Sequence, residues 1–493
     1  MSGNQQIVTN QVQNPPRAAR SKTAEPKPAF VGWSGPCKRW CLVLLLPVAL
    51  LSGAEGAIYR VSTSGSNNNP GTEAAPWRTI QKAADAMSAG DTVVVEAGNY
   101  PELVVSKANG TAKAPIVFQA AWTNAVVSGF SLGHAFQVIN GFTINAGGFG
   151  AYEAAVTLSS GGHSVSLESN IFNGTPDKVY QINSPISAVF TNLLVSGNQF
   201  LNGRFFSMAL YGRGHKITAN LFSSPNGWDA INLFASDTLI GGNVFTNFSN
   251  LVNNPNHPDL IQSFSLRGEV ATNNVIDGNL FINCRNTQIG NISNDINPSN
   301  PKGRNVSDWT WRNNIWANVD WAMTMWAPDM QFYNNVFYRC GINSSAPIFF
   351  RALPSRGAAE GGRVFNNIFA ECSLKPFDSR YGWYLVDDVV TRFAADYNLV
   401  IGTGAGETKT AFQAAGREVL GINGMDPQFV DAAGLDFRLR ATSPGFGAGF
   451  DLGALFTRDI GGANRNGGWS IGAYARPGTS PSPPGGLRVA NPR

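Results

Sequence analysis

Three stretches, LVSGNQFL (194–201), KITANLFS (216–223) and LIGGNVFT (239–246), share one pattern: a short alternating strand, an asparagine, and an aromatic residue two positions later. Successive asparagines of this pattern are 21 to 36 residues apart, which indicates a minimum unit of about 21 to 23 residues with insertions. Such a repeat predicts a β-solenoid coil. The pattern occurs eight times, at Asn170/Phe172, Asn198/Phe200, Asn220/Phe222, Asn243/Phe245, Asn279/Phe281, Asn314/Trp316, Asn335/Phe337 and Asn367/Phe369.

The repeated residues have a structural explanation. Asparagine tolerates the left-handed backbone of a tight corner, and stacked asparagines can bond one another from coil to coil. The aromatic residue two positions later points inward and stacks as well. Cys284, Cys340 and Cys372 each lie five residues after a repeat asparagine, so we expect one column of buried free thiols rather than a disulfide framework or a zinc site.

The first 56 residues differ from the rest. A polar lead ends in Lys38 and Arg39 and is followed by the apolar run WCLVLLLPVALL (40–51), which predicts a signal peptide and a secreted, extracellular or periplasmic protein. The apolar run is too short to span a bilayer, so we expect no stable membrane span in the mature chain. The leader carries six of the 36 basic and two of the 32 acidic residues, so the mature chain is formally neutral and a nucleic-acid partner is not expected.

Both ends of the mature sequence resemble secreted proteins of the pectate-lyase-like superfamily. The opening YRVSTSGSNNNPGTEAAPWRTIQKAADAMSAGDTVVVEAGNYPE (59–102) resembles the first segment of that superfamily, and DPQFVDAAGLDFRLRATSPGFGAGFDLG (426–453), DIGG (459–462) and IGAYA (471–475) resemble its usual exit. The resemblance implies an all-β, single-stranded right-handed parallel β-helix with a short N-terminal capping helix. In this prediction residues 57–477 form the β-helix, with cap and first coils at 57–130, central coils at 131–400 and C-terminal coils or cap at 401–477, followed by a disordered tail at 478–493.

A parallel β-helix exposes a long ridged sheet that suits an extended polysaccharide better than a small molecule. The longest insertions bracket residues 243–314, and enlarged loops on a regular scaffold often carry the functional site. Three related strands lie nearby: Asp229-Ala-Ile-Asn232, Asp259-Leu-Ile-Gln262 and Thr287-Gln-Ile-Gly290. If their isoleucines align and point inward, the side chains predicted to face outward and bind sugar hydroxyls are Asn232, Gln262 and Gln288.

The segment Asn256-His-Pro-Asp-Leu-Ile-Gln262 places a histidine beside an acid and an amide at the start of a strand. A lyase acting on a uronic-acid polysaccharide needs a base and a charge that neutralises the sugar carboxylate. His257 or Lys216 is the predicted base. Arg213, Arg267 or a Ca²⁺ ion would neutralise the carboxylate, and the predicted calcium ligands are Asp229, Asp259 and Asp295.

Two other functions fit the sequence. In a glycoside hydrolase, Asp229 and Asp259 on adjacent coils would supply the two carboxyls, near 5 Å apart. A non-catalytic binding protein or adhesin would bind glycan through a patch of aromatic side chains. The predicted patch includes the tryptophans Trp309, Trp311, Trp316, Trp321 and Trp326. The chain lacks the Asn-Thr-Asp and Asp-Asp pattern of polygalacturonases, and it carries neither the Asp-Pro-His motif of mannuronan C5-epimerases nor an evident pectate lyase calcium pattern. We rank a polysaccharide lyase first.

Overall fold

The computed structural model describes residues 56–121, 124–145, 154–159, 161–174, 180–183, 190–203, 206–224, 228–249, 258–344, 346–372, 384–387, 389–402, 416–465 and 468–475, which belong to one compact unit. The predicted leader and tail lie outside this part of the chain. Among the described residues, no helix has the length and apolar character needed to cross a membrane.

The chain winds through three parallel sheets, and each strand pairs with strands of the preceding and following coils. Sheet 1 has 13 strands. They are Ile58–Val61, Thr92–Val95, Ile116–Ala120, Gln137–Asn140, Ser166–Glu168, Leu194–Ser196, Lys216–Thr218, Leu239–Gly241, Ala271–Asp277, Val306–Arg312, Gln331–Tyr333, Arg363–Phe365 and Ala394–Asp396.

The remaining 20 parallel strands form two runs, which we call sheet 2 and sheet 3. Sheet 2 holds Thr143–Ile144, Ile171–Asn173, Gln199–Leu201, Leu221–Ser223, Val244–Thr246, Val336–Tyr338, Ile368–Ala370, Leu399–Ile401 and Ile422–Asn423. Sheet 3 holds Ala154–Leu158, Tyr180–Asn183, Phe206–Arg213, Ile231–Ser236, Asp259–Ser263, Ile348–Phe350 and Tyr384–Val386. Four long strands pass from sheet 2 into sheet 3: Gly98–Val105, Ala125–Leu132, Leu280–Ser293 and Ile315–Trp326.

The predicted asparagine repeat forms a buried ladder at the start of sheet 2. Each ladder asparagine donates from its backbone N–H and from Nδ2 to Oδ1 of the next one, at 2.8–3.0 Å and 2.8–3.1 Å. The ladder contains the eight predicted residues and a ninth, Asn398, which the pattern missed because Val400 stands where the aromatic residue was expected. Its buried amides are therefore satisfied by each other.

The expected backbone of these corners was wrong by one residue. The left-handed conformation belongs to the residue before each ladder asparagine, for example Ala219 (φ 55°) before Asn220 and Asn313 (φ 54°) before Asn314. The preceding residue makes the turn, and the ladder asparagine is left free to aim its amide along the coil axis.

The aromatic column is confirmed. The rings of Phe172, Phe200, Phe222, Phe245, Phe281, Trp316, Phe337 and Phe369 stack in order, with centroids 4.5–5.2 Å apart. Cys284, Cys340 and Cys372 are buried free thiols, as expected. Burial raises the pKa of Cys284 and of Cys372 to about 12, so these thiols are inert at neutral pH.

The two ends of the coil differ. A helix at Ile80–Ala86 begins at Thr79, whose side chain accepts a hydrogen bond from the N–H of Lys82, and it buries Ile80, Ala83 and Ala84. At the other end the chain leaves the coils after Ile422–Asn423. It then forms the antiparallel hairpin Phe429–Asp431/Asp436–Leu439, within the range predicted for the C-terminal coils or cap.

Residues 449–465 and 468–475, which we call the return segment, run back along the corner between sheets 1 and 2. Asn366 and Phe450 exchange hydrogen bonds of 2.7 and 2.8 Å, and Nδ2 of Asn334 donates to the carbonyl of Ser470 at 2.8 Å. The buried guanidinium of Arg465 donates to Oδ1 of Asn313 at 2.8 Å. The residues that turn these corners therefore also hold the return segment in place.

Candidate functional site

The outer face of sheet 3 carries a row of side chains in register, which we call the amide column. Ile231 and Leu233 lie in the core, so Asn232 between them points outward. Strand pairing places Asn232 beside Gln262, and Gln262 beside Asn291. From coil to coil the column contains Ala209, Asn232, Gln262, Asn291, Thr324 and Phe349.

The amides of this column are incompletely satisfied. Asn232 is 5% exposed, and its Oδ1 has no hydrogen-bond partner within the described part of the chain; the same is true of Oδ1 of the half-buried Asn291. Between them, Nε2 of Gln262 donates to Oδ2 of Asp259 at 2.7 Å. The oxygen atoms of Asn232 and Asn291 are also shielded from solvent, so the surface that a ligand can reach is formed by the half-buried side chains of Gln262, Asn291 and Thr324.

The predicted register was correct for the first two strands and wrong for the third. Ile231 lies beside Ile261 as expected, but Ile261 pairs with Gly290 rather than with Ile289. A Cβ at Gly290 would meet the carbonyl oxygen of Ile261 at 2.7 Å, so the close approach of the strands requires glycine here. The shift arises at the corner between sheets 2 and 3, where the pairing of the long strand is irregular between Cys284 and Gln288.

Gln288 consequently lies outside the amide column. It pairs with Asp259, and its Nε2 donates to Oγ1 of Thr324 at 3.0 Å. Gln288 therefore contacts the column through Thr324 without being part of it. Asn291 occupies the position that the aligned isoleucines predicted for Gln288.

Asp229 and Asp259 lie on adjacent coils but do not face the solvent. Oδ1 of Asp229 accepts a 2.8 Å hydrogen bond from the backbone N–H of Asp259. Asp229 is 6% exposed and Asp259 is fully buried. Because neither carboxyl lies open on the surface, the structure gives no support to the predicted hydrolase pair.

The strand Asp259–Ser263 follows the corner between sheets 2 and 3. His257 lies outside the described residues; the next residue, Pro258, accepts a 2.8 Å hydrogen bond from the N–H of Gln288. At the same corner Arg285 forms an ion pair with Asp320 at 3.0 Å, and its side chain is 55% exposed. Trp321, the next residue after that aspartate, is 42% exposed.

Lys216 is not part of this face. It is exposed on a strand of sheet 1, so the structure does not bring it to Asp229 or Asp259. Its neighbour His215 is buried, and burial lowers the pKa of this histidine to about 4. Both ring nitrogens of His215 contact backbone groups, Leu193 N–H and the carbonyl of Tyr211, which is a structural arrangement.

The proposed calcium ligands do not converge. Asp259 starts its strand beside Gln288, whereas Asp295 follows the end of the neighbouring strand, seven residues or about 23 Å further along. Asp229 and Asp259 are buried and bonded as described above. Within the described ranges no group of three histidine, cysteine or acidic residues could hold a metal ion. The residues present therefore do not fit the predicted site.

A second outward row lies two residues further along each strand, towards the C-terminal edge of sheet 3. Tyr211 and Phe234 stack at 4.7 Å, and Phe264 meets Phe234 edge-on at 4.8 Å. Beside them is a cleft of about 510 Å³ that Arg213 and Arg267 both line. The two arginines that the sequence proposed for substrate binding are thus brought together.

The two arginines differ in their pairing. Arg213 is ion-paired with Asp237, with Nε 3.0 Å from Oδ2, and hydrogen bonds from Asn273 and then Arg213 lower the pKa of that aspartate. The exposed side chain of Arg267 has no ion-pair or hydrogen-bond partner among the described residues. Arg267 is accordingly the cation that a ligand in this cleft would meet first.

The tryptophans of the predicted patch divide into two groups. Trp309, Trp311 and Trp316 are fully buried and belong to the core. Trp321 is exposed and Trp326 is half-buried; both lie on sheet 3 and outside the core. Asn291 and Arg285 were not predicted from the sequence; the available signal for Asn291 was its place directly before the core residue Ile292.

Comparison with known proteins agrees with the topology. The structure of XylC in complex with xylose matches with a TM-score of 0.56 at 12% sequence identity, over 85% of this chain and 98% of that one. This chain has the parallel β-helix fold. Pectate lyase Pel9A matches at 14% identity with a TM-score of 0.48, over 86% of this chain and 97% of that one.

A mannuronic-acid-specific family 6 polysaccharide lyase from human gut microbiota matches at 13% identity with a TM-score of 0.48, over 75% of this chain and 92% of that one. No family model matches the sequence. A curated protein, the uncharacterized YwoF of Bacillus subtilis (strain 168), is 38% identical over 82 residues. That alignment covers 16% of this chain and 18% of YwoF.

Proposed function

We propose that the protein is secreted and binds an extended acidic polysaccharide along the outer face of sheet 3, where it cleaves the chain by β-elimination. The observation that carries the proposal is the amide column, a row of outward-pointing polar side chains in register that includes Asn232, Gln262 and Asn291. It runs across the strands from Ala209 to Phe349, five inter-coil steps or about 24 Å. A ligand of that length is an oligosaccharide rather than a single sugar.

The aromatic side chains support a carbohydrate ligand. Trp321 presents 42% of its surface to solvent beside Gln288, its strand neighbour. An indole that is exposed next to an amide can stack on the apolar face of a pyranose while the amide bonds its hydroxyls. The parallel β-helix folds of the structural matches fit such a substrate but do not define it.

For the reaction we propose His257 as the base that removes the proton at C5 of the uronic acid; the glycosidic C4–O bond breaks as the C4–C5 double bond forms, and the leaving oxygen takes a proton from water. Arg285 supplies the charge that neutralises the sugar carboxylate, since it lies at the corner between sheets 2 and 3, three residues before Gln288, whose N–H bonds the carbonyl of Pro258. Asp320 holds that guanidinium in place through their ion pair. Asp229 and Asp259 are buried and bonded, so their role in this proposal is to fix the corner and the amide column.

An absorbance assay tests the reaction. The mature protein is incubated with alginate, pectate and a neutral xylan, with and without chelator, while absorbance is followed near the band of unsaturated uronates. New absorbance with an acidic polymer, abolished by His257→Ala and by Arg285→Ala, supports the lyase. Reducing ends without new absorbance would reject β-elimination in favour of hydrolysis, and retention of polymer without any product would leave a binding protein.

A further inference from the structure

A small hairpin lies at the C-terminal edge of sheet 3, beside the proposed polysaccharide face. Ala352–Leu353 and Gly357–Ala358 pair antiparallel directly after the sheet 3 strand Ile348–Phe350. The carbonyl of Ser355, in the hairpin turn, accepts a 2.9 Å hydrogen bond from the N–H of Ile296. The hairpin thereby reaches back over the ends of strands from earlier coils, and it carries Arg356 with it.

Two guanidinium groups meet at the same indole. The central carbon of Arg351 lies 5.8 Å from the ring centroid of Trp326, and that of Arg356 lies 5.7 Å from it. Arg351 also lies 4.8 Å from the ring of Phe349. The aromatic faces hold both cations at the C-terminal edge of sheet 3, two residues or about 7 Å along the strand from Thr324 of the amide column.

The two cations differ from other arginines of the coil in their pairing. Several arginines are ion-paired, for example Arg213 with Asp237, Arg304 with Asp329 and Arg339 with Glu371. Arg351 and Arg356 have no carboxylate partner and no side-chain hydrogen bond within the described residues. Two guanidinium groups without a carboxylate partner beside one ring create a local positive potential, which favours binding of an anion next to them.

We infer that Arg351 and Arg356, on the indole of Trp326, form a subsite for the carboxylate of an acidic sugar. The planar guanidinium group donates two parallel hydrogen bonds to a carboxylate, and no reacting group needs to be near. A polysaccharide lying along the amide column would present the carboxylate of one ring at this edge. The subsite selects acidic over neutral polymers and rests on the proposed function of sheet 3.

Binding measurements with variants test this subsite. Arg351→Gln, Arg356→Gln and the double variant are compared with wild type in affinity electrophoresis through alginate, dextran sulfate and neutral xylan. The matched control is Arg339→Gln, because Arg339 also stacks on an aromatic ring (Tyr338, 4.9 Å) but is ion-paired with Glu371 at 2.7 Å on sheet 2. Circular dichroism checks that each variant is folded.

We expect each single variant to weaken alginate binding about 10-fold and the double variant roughly 100-fold. The affinity for xylan, where present, and that of the control should stay unchanged. Equal alginate affinity of the double variant and wild type would overturn the subsite while leaving the polysaccharide face intact. Loss of dextran sulfate binding without loss of alginate binding would overturn the assignment to a carboxylate. If wild type binds none of the polymers, the proposed function itself fails.

Discussion

Nδ2 of Asn398 donates a 2.7 Å hydrogen bond to Oε1 of Glu418, so the asparagine ladder ends on a carboxyl group. Tyr384 donates to the same oxygen at 3.0 Å. Burial raises the pKa of Glu418 to about 7 from its ordinary value of 4.5. The folded protein therefore holds a proton on this carboxyl at pH values where the unfolded chain has lost it.

The stability of the last coils should depend on the protonation of Glu418. Because the folded pKa lies above the unfolded one, the stabilisation is complete below pH 4.5 and is lost as the pH rises through about 7. The full effect is about 3 kcal/mol. Glu418→Gln should remove this part of the pH dependence and unfold at a higher temperature than wild type at pH 8. Thermal unfolding at several pH values measures it.

The control for that experiment is Glu73→Gln, at an exposed carboxylate paired with Arg60. Its melting temperature should follow wild type at every pH, since exposed ion pairs contribute little. If Glu418→Gln and wild type show parallel pH profiles, the buried carboxyl does not titrate as described.

An asparagine from the middle of the ladder should be much more sensitive to substitution than an exposed one. Asn243→Ala removes the oxygen that accepts two bonds from Asn220, at 2.9 Å each, and leaves both donors buried. We expect a loss of about 3 kcal/mol in the free energy of unfolding. Asn99→Ala, at an exposed strand position, should change it by less than about 0.5 kcal/mol in chemical denaturation. Similar losses for both would argue against the ladder.

The local stability of the return segment should depend on one buried arginine. Nη2 of Arg465 donates to Asn313 and to the carbonyls of Gly472 and Ala473, and burial lowers the pKa of this arginine to about 10. Arg465→Ala leaves those acceptors unpaired, so we expect limited proteolysis to cut within residues 449–475 first, while the coils stay protected. Arg458→Ala, an exposed neighbour, should be cut at the wild-type rate. Cleavage of the coils before the return segment would contradict this assignment.

Trp321 should contribute to polysaccharide binding without contributing to the fold. Trp321→Ala removes an exposed ring, and we expect alginate affinity to fall about 5-fold with little change in melting temperature. Phe450→Ala is the matched control, because this ring is 45% exposed but lies on the return segment. An equal loss of affinity in both variants would place the glycan elsewhere.

The fold could be predicted because its main interactions repeat. The residues of the asparagine ladder and of the aromatic stack recur at the same position of each coil, so a pattern such as Asn220/Phe222 is visible in the sequence. The paired asparagines at 313–314, 334–335 and 366–367 carried a further signal that was overlooked: the first of each pair holds the return segment.

The site was less predictable because it depends on relations between coils. The pairing of Ile261 with Gly290 follows from an irregular corner in a long strand, which the alignment of isoleucines could not reveal. The importance of Arg351 arises from a hairpin that brings Arg356 to the same ring, and neither residue belongs to a sequence motif. Local sequence fixes which side chains point outward, whereas packing between coils decides which of them meet.

Hydrogen exchange with and without an alginate oligosaccharide tests the central claim most directly. With the oligosaccharide bound, we expect slower amide exchange in peptides from sheet 3. These peptides cover the strands Ile231–Ser236, Asp259–Ser263 and Ile348–Phe350 and the C-terminal halves of Leu280–Ser293 and Ile315–Trp326. Sheet 1 peptides such as Lys216–Thr218 should be unchanged. Protection confined to sheet 1 or to the return segment, with sheet 3 unaffected at saturating oligosaccharide, would contradict the account.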